Sequence, residues 1–338
     1  MNRTKGSAVA AVLLAAALGV AGATTASADA TPQARDLVGV GSDTSQFAVN
    51  YLADGVKVGA IFTPGFNAGA NARLVSYDAI APNGVIGDQI VIKTGTASIA
   101  RPNGSGAGKT ALIANTNINF ARSSSTLSTA EINAGLQQVP FAVDGLKLAV
   151  SAVGTNAPAT ISPADMVKIY NGTYTNWNQL GGANGAIKAY IPQTGSGTRT
   201  FFLAQLQAAN GGTAVTLGAG ITESEEHNPA VFDPSSATYG ANAVNAVAPF
   251  STGRAGSSAA LVKLEGGFNA QRALYNVVRT ADLSKPWFTS IFGPNGFICG
   301  GGGKSSIEAA GFAQLAVSDD GGVCGIPTQA ATSNFTTN

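Results

Sequence analysis

Histidine occurs once and cysteine twice in this 338-residue chain, and charged residues make up only 11% of it. Each scarcity closes off a class of chemistry. One histidine cannot build a histidine-rich metal centre, and a hydrolase triad would have a single residue to draw on for its imidazole base. That residue, His227, stands in Thr222-Glu223-Ser224-Glu225-Glu226-His227-Asn228-Pro229, which reads as an exposed polar loop. No G-x-S-x-G nucleophile elbow occurs. A formal charge of +1 with no basic stripe excludes a nucleic-acid surface and a polybasic membrane patch. An enzyme is therefore not expected, nor a metal or other cofactor.

What the chain has is a leader-like start. Arg3 and Lys5 precede an apolar run from Ala8 to Val20, then small residues ending at Ala28-Asp29-Ala30. That order is the n-region, h-region and cleavage site of a secretory signal peptide, and the run is too short for a membrane span. Cleavage is expected after Ala30, with Ala26-Ser27-Ala28 an equally legal site. The remaining chain carries as many acidic as basic residues. No cysteine lies near the cleavage site, so a secreted, unanchored protein is expected. In an oxidising compartment Cys299 and Cys324, the ends of a Gly-rich loop, are expected to form one disulfide.

Short β-type runs alternate with helical patterns, which predicts an α/β protein of two lobes by length. Strands are expected over 37–40, 89–93, 118–121, 147–153 and 186–191. Helices are easier to defend where they carry caps. Ser128 with Glu131 three residues on forms a capping box, and Ser162-Pro163-Ala164-Asp165 supplies a cap, an N1 proline and an early acid. Further helical stretches run over 198–208 and 306–315.

Gly108-Lys109-Thr110 invites comparison with a nucleotide-binding P-loop, but Asn103 stands where that pattern needs its first glycine. An exported chain also meets essentially no ATP. What survives is more general: Gly104-Ser105-Gly106, Gly195-Ser196-Gly197-Thr198 and Gly39-Val40-Gly41-Ser42-Asp43-Thr44 each join a strand to a helix. Glycine lets a ligand approach the backbone, hydroxyls add donors, and a helix start offers free N–H groups to an anion. For any one turn, plain helix capping explains the residues; three together point to a shared anion site.

These segments resemble the phosphate-binding proteins of ABC transporters. The resemblance continues through Ala121-Arg122-Ser123-Ser124-Ser125, Val139-Pro140-Phe141, Tyr170-Asn171-Gly172 and Trp177, over about residues 36–206. It implies a type II periplasmic-binding fold whose two α/β lobes close on an anion. Lobe 1 would hold 31–142 and 279–338, and lobe 2 143–278, with crossings near Phe141–Gly145 and Leu274–Thr280. The implied ligand contacts fall on Asp43, Thr44, Ser105, Ser196, Gly197 and Thr198. Two charged ligands of the family do not carry over: its carboxylate falls on Ser124 and its arginine on Pro192. Asp43 is the expected substitute acceptor, and Arg122 or Arg199 the expected source of positive charge. The implied function is capture of phosphate or a related oxyanion by a monomer, with an ABC permease as partner. A secreted scavenging, sensing or adhesion module is the alternative reading.

Overall fold

In the computed structural model, residues 29–315 and 322–329 are described. The expected signal peptide therefore lies outside the described residues except for Asp29 and Ala30. Nine strands form one sheet: β1 (Leu37–Gly41), β2 (Leu74–Ser76), β3 (Phe120–Ser123), β4 (Leu136–Ser151), β5 (Lys188–Pro192), β6 (Thr222–Ser224), β7 (Ala246–Ser251), β8 (Val262–Arg279) and β9 (Ala313–Gln314). Their order is β6-β5-β7-β4-β8-β3-β1-β2, with β9 added on β4. Eight helices accompany them: α1 (Gln46–Asp54), α2 (Ser105–Ala114), α3 (Thr129–Asn133), α4 (Pro163–Tyr170), α5 (Gly197–Ala209), α6 (Thr252–Gly256), α7 (Pro286–Ile291) and α8 (Gly301–Ala309).

The sheet is parallel at both ends and antiparallel in the middle. β2, β1 and β3 run parallel in the first half, and β7, β5 and β6 in the second. The long antiparallel partners β4 and β8 join the halves, with irregularities at Leu264/Asn269 and Leu274/Tyr275. Each half is buried on both sheet faces, as parallel strands require. Alternation in β1 sends Leu37 into one core with Phe120, Phe141 and Phe292, and Val38 into another with Ile118, Leu112 and Tyr275. The second half has its own pair of cores, one around Tyr170, Trp177 and Phe202, the other around Phe232 and Phe250. Ala273, Leu274, Tyr275, Val277 and Val278 pack with the first-half cores.

Local signals placed several elements. Ser128 and Glu131 form the reciprocal capping box of α3, and Ser162 caps α4 with Pro163 at its first position. The expected helix over 306–315 instead runs over Gly301–Ala309. Gly311, at φ +88°, breaks it, and Ala313–Gln314 then pairs with β4. The expected strand over 89–93 shrinks to Gln89–Ile90, paired with Ile99–Ala100 outside the main sheet. Cys299 and Cys324 are disulfide-bonded. No helix among the described residues is long and apolar enough to cross a membrane.

Candidate functional site

Parallel strands of an α/β sheet leave a crevice beyond their carboxyl ends. Here β1 runs into Ser42-Asp43-Thr44, β3 ends beside Ser124, and β5 leads to the turn before α5. The start of α2 adds Ser105. Hydroxyls from these segments meet. Ser124 Oγ lies 3.2 Å from Ser42 Oγ and 3.4 Å from Ser105 Oγ, and its backbone N–H donates to Ser105 Oγ at 3.0 Å. Thr44 Oγ1 and Thr198 Oγ1, one from each half, are 3.3 Å apart. A Cβ on Gly197 would collide with the hydroxyls of Ser105 and Ser124, so only glycine fits there.

The two glycine-rich turns also touch. The N–H of Gly106 donates to the Gly195 carbonyl at 3.0 Å. Gly104 sits at φ +93°, and a Cβ there would lie 2.8 Å from the same carbonyl oxygen. Left-handed backbone and close approach both demand glycine.

Charge reaches this hydroxyl cluster from residues far away in sequence. Arg272, on β8, donates from Nη2 to Thr198 Oγ1 at 2.8 Å and, more distantly, to Thr44 Oγ1 at 3.4 Å. Its Nε and Nη2 also hold Asp144 Oδ2 at 3.1 and 2.9 Å, with both side chains fully buried. Asp144 Oδ1 accepts from Ser251 at 2.6 Å, which completes the pair's coordination. Opposite Arg272, the two threonine hydroxyls donate to Glu226 Oε1, at 2.6 Å from Thr44 and 2.5 Å from Thr198. Two hydroxyls of the cluster, one from each half, are therefore aimed at a buried carboxylate oxygen.

A second cross-cleft group lies alongside. His227 Nδ1 pairs with Asp43 Oδ2 at 2.9 Å, and Arg254 Nη2 with Asp43 Oδ1 at 3.2 Å. Burial favours the neutral Asp43 carboxyl, but the charge of Arg254 and the His227 hydrogen bond outweigh it and hold the group below the usual carboxylate range. His227 is buried, which corrects the expectation of an exposed loop. Polarity of the surrounding run suggested solvent, but Asp43 and the facing half supply its partners. A cleft of about 420 Å³ opens beside this group, lined among others by Phe47, Ile80, Glu226 and Arg254.

The expected site residues thus separate by what their atoms touch. Thr44, Ser105, Ser124, Gly197 and Thr198 come together. Ser196 is buried nearby, but its Oγ accepts from the Arg199 N–H as the cap of α5. Asp43, the expected acceptor, has both oxygens engaged by His227 and Arg254. Arg122 is wholly buried and binds the Ser42 and Gly41 carbonyls and Ser76 Oγ. It fixes the β1 loop, and burial pulls it down to about 10 against the nearby Asp78 and Asp43 charges. Arg199 turns to the Pro192 carbonyl at 2.8 Å and to Glu223 at 2.6 Å, and none of these contacts reaches the hydroxyl cluster. Sequence reasoning missed Arg272, Asp144, Glu226 and Arg254. The one available signal was Arg272, a charged residue directly before the apolar pair Ala273-Leu274 in the strand that returns to the first half.

The family described as PBP superfamily domain matches residues 88–319. No curated protein sequence matches the chain. Among solved structures, one described as a phosphate ABC transporter substrate-binding protein of Clostridium perfringens, with phosphate bound, shares 18% identity. It covers 83% of this chain and 99% of its own at a TM-score of 0.57. An ABC-type phosphate transport receptor of Vibrio cholerae shares 17% identity over 82% of this chain and 99% of its own, with a TM-score of 0.52. A phosphate-binding protein of Stenotrophomonas maltophilia shares 16% over 85% and 91%, with a TM-score of 0.50. The likeness establishes the fold: a type II periplasmic-binding architecture built on the two long crossing strands.

Proposed function

The chain belongs to the PBP superfamily, and on that premise we propose that it is an exported solute-binding protein that captures inorganic phosphate, or a close oxyanion, between two lobes. One observation carries this reading: hydroxyls from both halves already converge on a buried carboxylate oxygen, at 2.6 Å from Thr44 and 2.5 Å from Thr198. A seat that stabilises one oxyanion oxygen can stabilise those of a solute. The phosphate-binding proteins that share the fold support the choice of ion.

Thr44, Ser105, Ser124, Gly197 and Thr198 form the proposed ligand shell. Arg272 supplies the positive charge that the family's arginine position, Pro192 here, cannot. Its pairing with Asp144 offsets that charge, so hydrogen bonding rather than net charge does most of the work. Asp43 and Arg122 shape the β1 loop, and Ser196 caps α5 at the seat. The proposed lobes are 31–142 with 279–338, and 143–278; among the described residues, the stretch from Ala273 packs with the first-half cores. Closure removes water and strengthens each hydrogen bond. The solute then passes to an ABC permease, with the protein acting as a monomer.

Among the described residues, His227 Nδ1 is held by Asp43 and no serine or threonine hydroxyl bonds its Nε2. Processing after Ala28 is favoured over Ala30, because Asp29 pairs with the buried Arg101 at 2.5 Å. N-terminal sequencing of the exported protein decides that point.

Calorimetric titration with phosphate, sulfate and arsenate tests the function. Phosphate binding is expected, weakened at least tenfold by Thr198→Val. Absence of any oxyanion heat with the wild-type protein would discard this reading.

A further inference from the structure

Glu226 lies on the loop after β6, and its side chain is wholly buried. Its Oε1 accepts from Thr44 and Thr198 at 2.6 and 2.5 Å, lengths typical of charge-assisted O–H···O⁻ bonds. Arg272 donates to the same two oxygens from the other side. The guanidinium therefore occupies hydroxyl lone pairs and turns the protons towards the carboxylate, a relay that strengthens each bond. Glu226 Oε2 has no hydrogen-bond partner among the described residues. One oxygen of this carboxylate is thus served by the donors assigned above to the solute.

The neighbouring residues hold the carboxylate in that position. Asn103 Nδ2 donates to Glu225 Oε2 at 2.8 Å, the Glu226 N–H donates to Gln193 Oε1 at 2.7 Å, and His227 meets Asp43. With the Thr44 bond to Glu226, the side chains of Glu225, Glu226 and His227 all meet residues of the first half. In an extended chain Glu226 and His227 would face opposite ways. Both enter the cleft because His227 sits at φ 55°, the single non-glycine left-handed residue among those described. Such backbone is disfavoured and persists only where surrounding contacts impose it.

We propose that Glu226 is a built-in occupant of the oxyanion seat: it holds the lobes together before solute arrives, and an entering ion must displace it. The displacement part rests on the oxyanion reading; the latch does not. The consequence is selectivity. A tethered carboxylate with one engaged oxygen yields to a tetrahedral dianion, which brings more charge and enough acceptors for Thr44, Thr198, Ser105 and Ser124 at once. A singly charged carboxylate in solution offers no such advantage and is kept out.

The test uses the purified protein and its Glu226→Gln and Glu226→Ala variants, checked for native circular dichroism. Small-angle scattering without added anion is expected to show a compact wild type and an expanded Glu226→Ala. Acetate, which replaces the atoms that substitution removes, is expected to restore compactness and raise the melting temperature of Glu226→Ala, with no effect on wild type. Glu226→Gln is expected to bind phosphate at least tenfold more tightly than wild type. The proposal is overturned if Glu226→Ala stays compact without anion, or if acetate leaves it unchanged. It is equally overturned if Glu226→Gln binds phosphate more weakly, which would make Glu226 an acceptor for the solute rather than its competitor. If Glu226→Ala opens and acetate closes it while phosphate binds no form, the latch stands and the phosphate reading falls.

Discussion

Arg272 Nη2 donates to Thr198 Oγ1 at 2.8 Å, joining the strand that returns to the first half with the first turn of α5. The same guanidinium is anchored by Asp144. A buried arginine so anchored is fixed in place, with Nη2 also reaching the threonine hydroxyls and Nη1 donating to the Ser124 carbonyl at 3.4 Å. Position and charge at the seat therefore come from one ion pair.

Removing one member of that pair leaves an uncompensated buried charge. Asp144→Ala is expected to lower unfolding free energy by about 3–5 kcal/mol in urea denaturation. The double change Asp144→Leu with Arg272→Met is expected to recover much of that stability yet lose phosphate binding. Retained affinity in the double variant would show that Arg272 does not serve the seat.

The glycine turns set how closely the lobes approach. Gly104→Ala places a methyl against the Gly195 carbonyl and puts alanine at φ +93°, while Gly197→Ala places one against the Ser105 and Ser124 hydroxyls. Both are expected to weaken phosphate by at least tenfold in calorimetry, through incomplete closure. Crystal structures with the native interlobe spacing and full affinity would refute this.

Acid is expected to loosen the cleft through Asp43. Burial raises this carboxyl, but Arg254 and His227 lower it more, so its folded value lies below the ordinary 3.8. The unfolded chain then takes up the proton first. The stabilisation is present above the ordinary value and is lost as pH falls through the folded one. Melting temperatures should fall as pH drops below 3.8 in wild type and fall less in Asp43→Asn. Asp78 has the opposite sign: burial raises it, so its stabilising effect is lost as pH rises, and Asp78→Asn is expected to stabilise at neutral pH.

The disulfide closes a loop with a sequence separation of 25. Replacing Cys299 and Cys324 by serine is expected to cost about 3 kcal/mol, mainly by freeing the unfolded chain. The pair packs in the first-half core, so phosphate affinity should be unchanged when measured below the lowered melting temperature. An equal melting temperature with and without reductant would contradict the estimate.

Much of the fold was legible because its signals are local. Ser128 with Glu131 and Ser162 with Pro163 started helices where expected, since a cap depends only on residues within a turn. The glycine and hydroxyl turns marked strand-to-helix junctions for the same reason. The resemblance pointed to Thr44, Ser105 and Thr198, whose hydroxyls meet others in the cleft, while the substitutes expected for its two missing charges make other contacts. Arg199 meets Glu223, Arg122 serves backbone carbonyls, and Asp43 is held by His227 and Arg254.

The amino-acid order by itself determined the α/β class, the capped helices and the hydroxyl-bearing turns, because short-range sterics and hydrogen bonding decide those. Only the tertiary structure decided which charges face the seat. Arg272, Asp144 and Glu226 come from segments with no local mark of shared purpose. A buried charge survives only where distant chain supplies its partner, and that pairing exists only once the two long strands have brought the halves together.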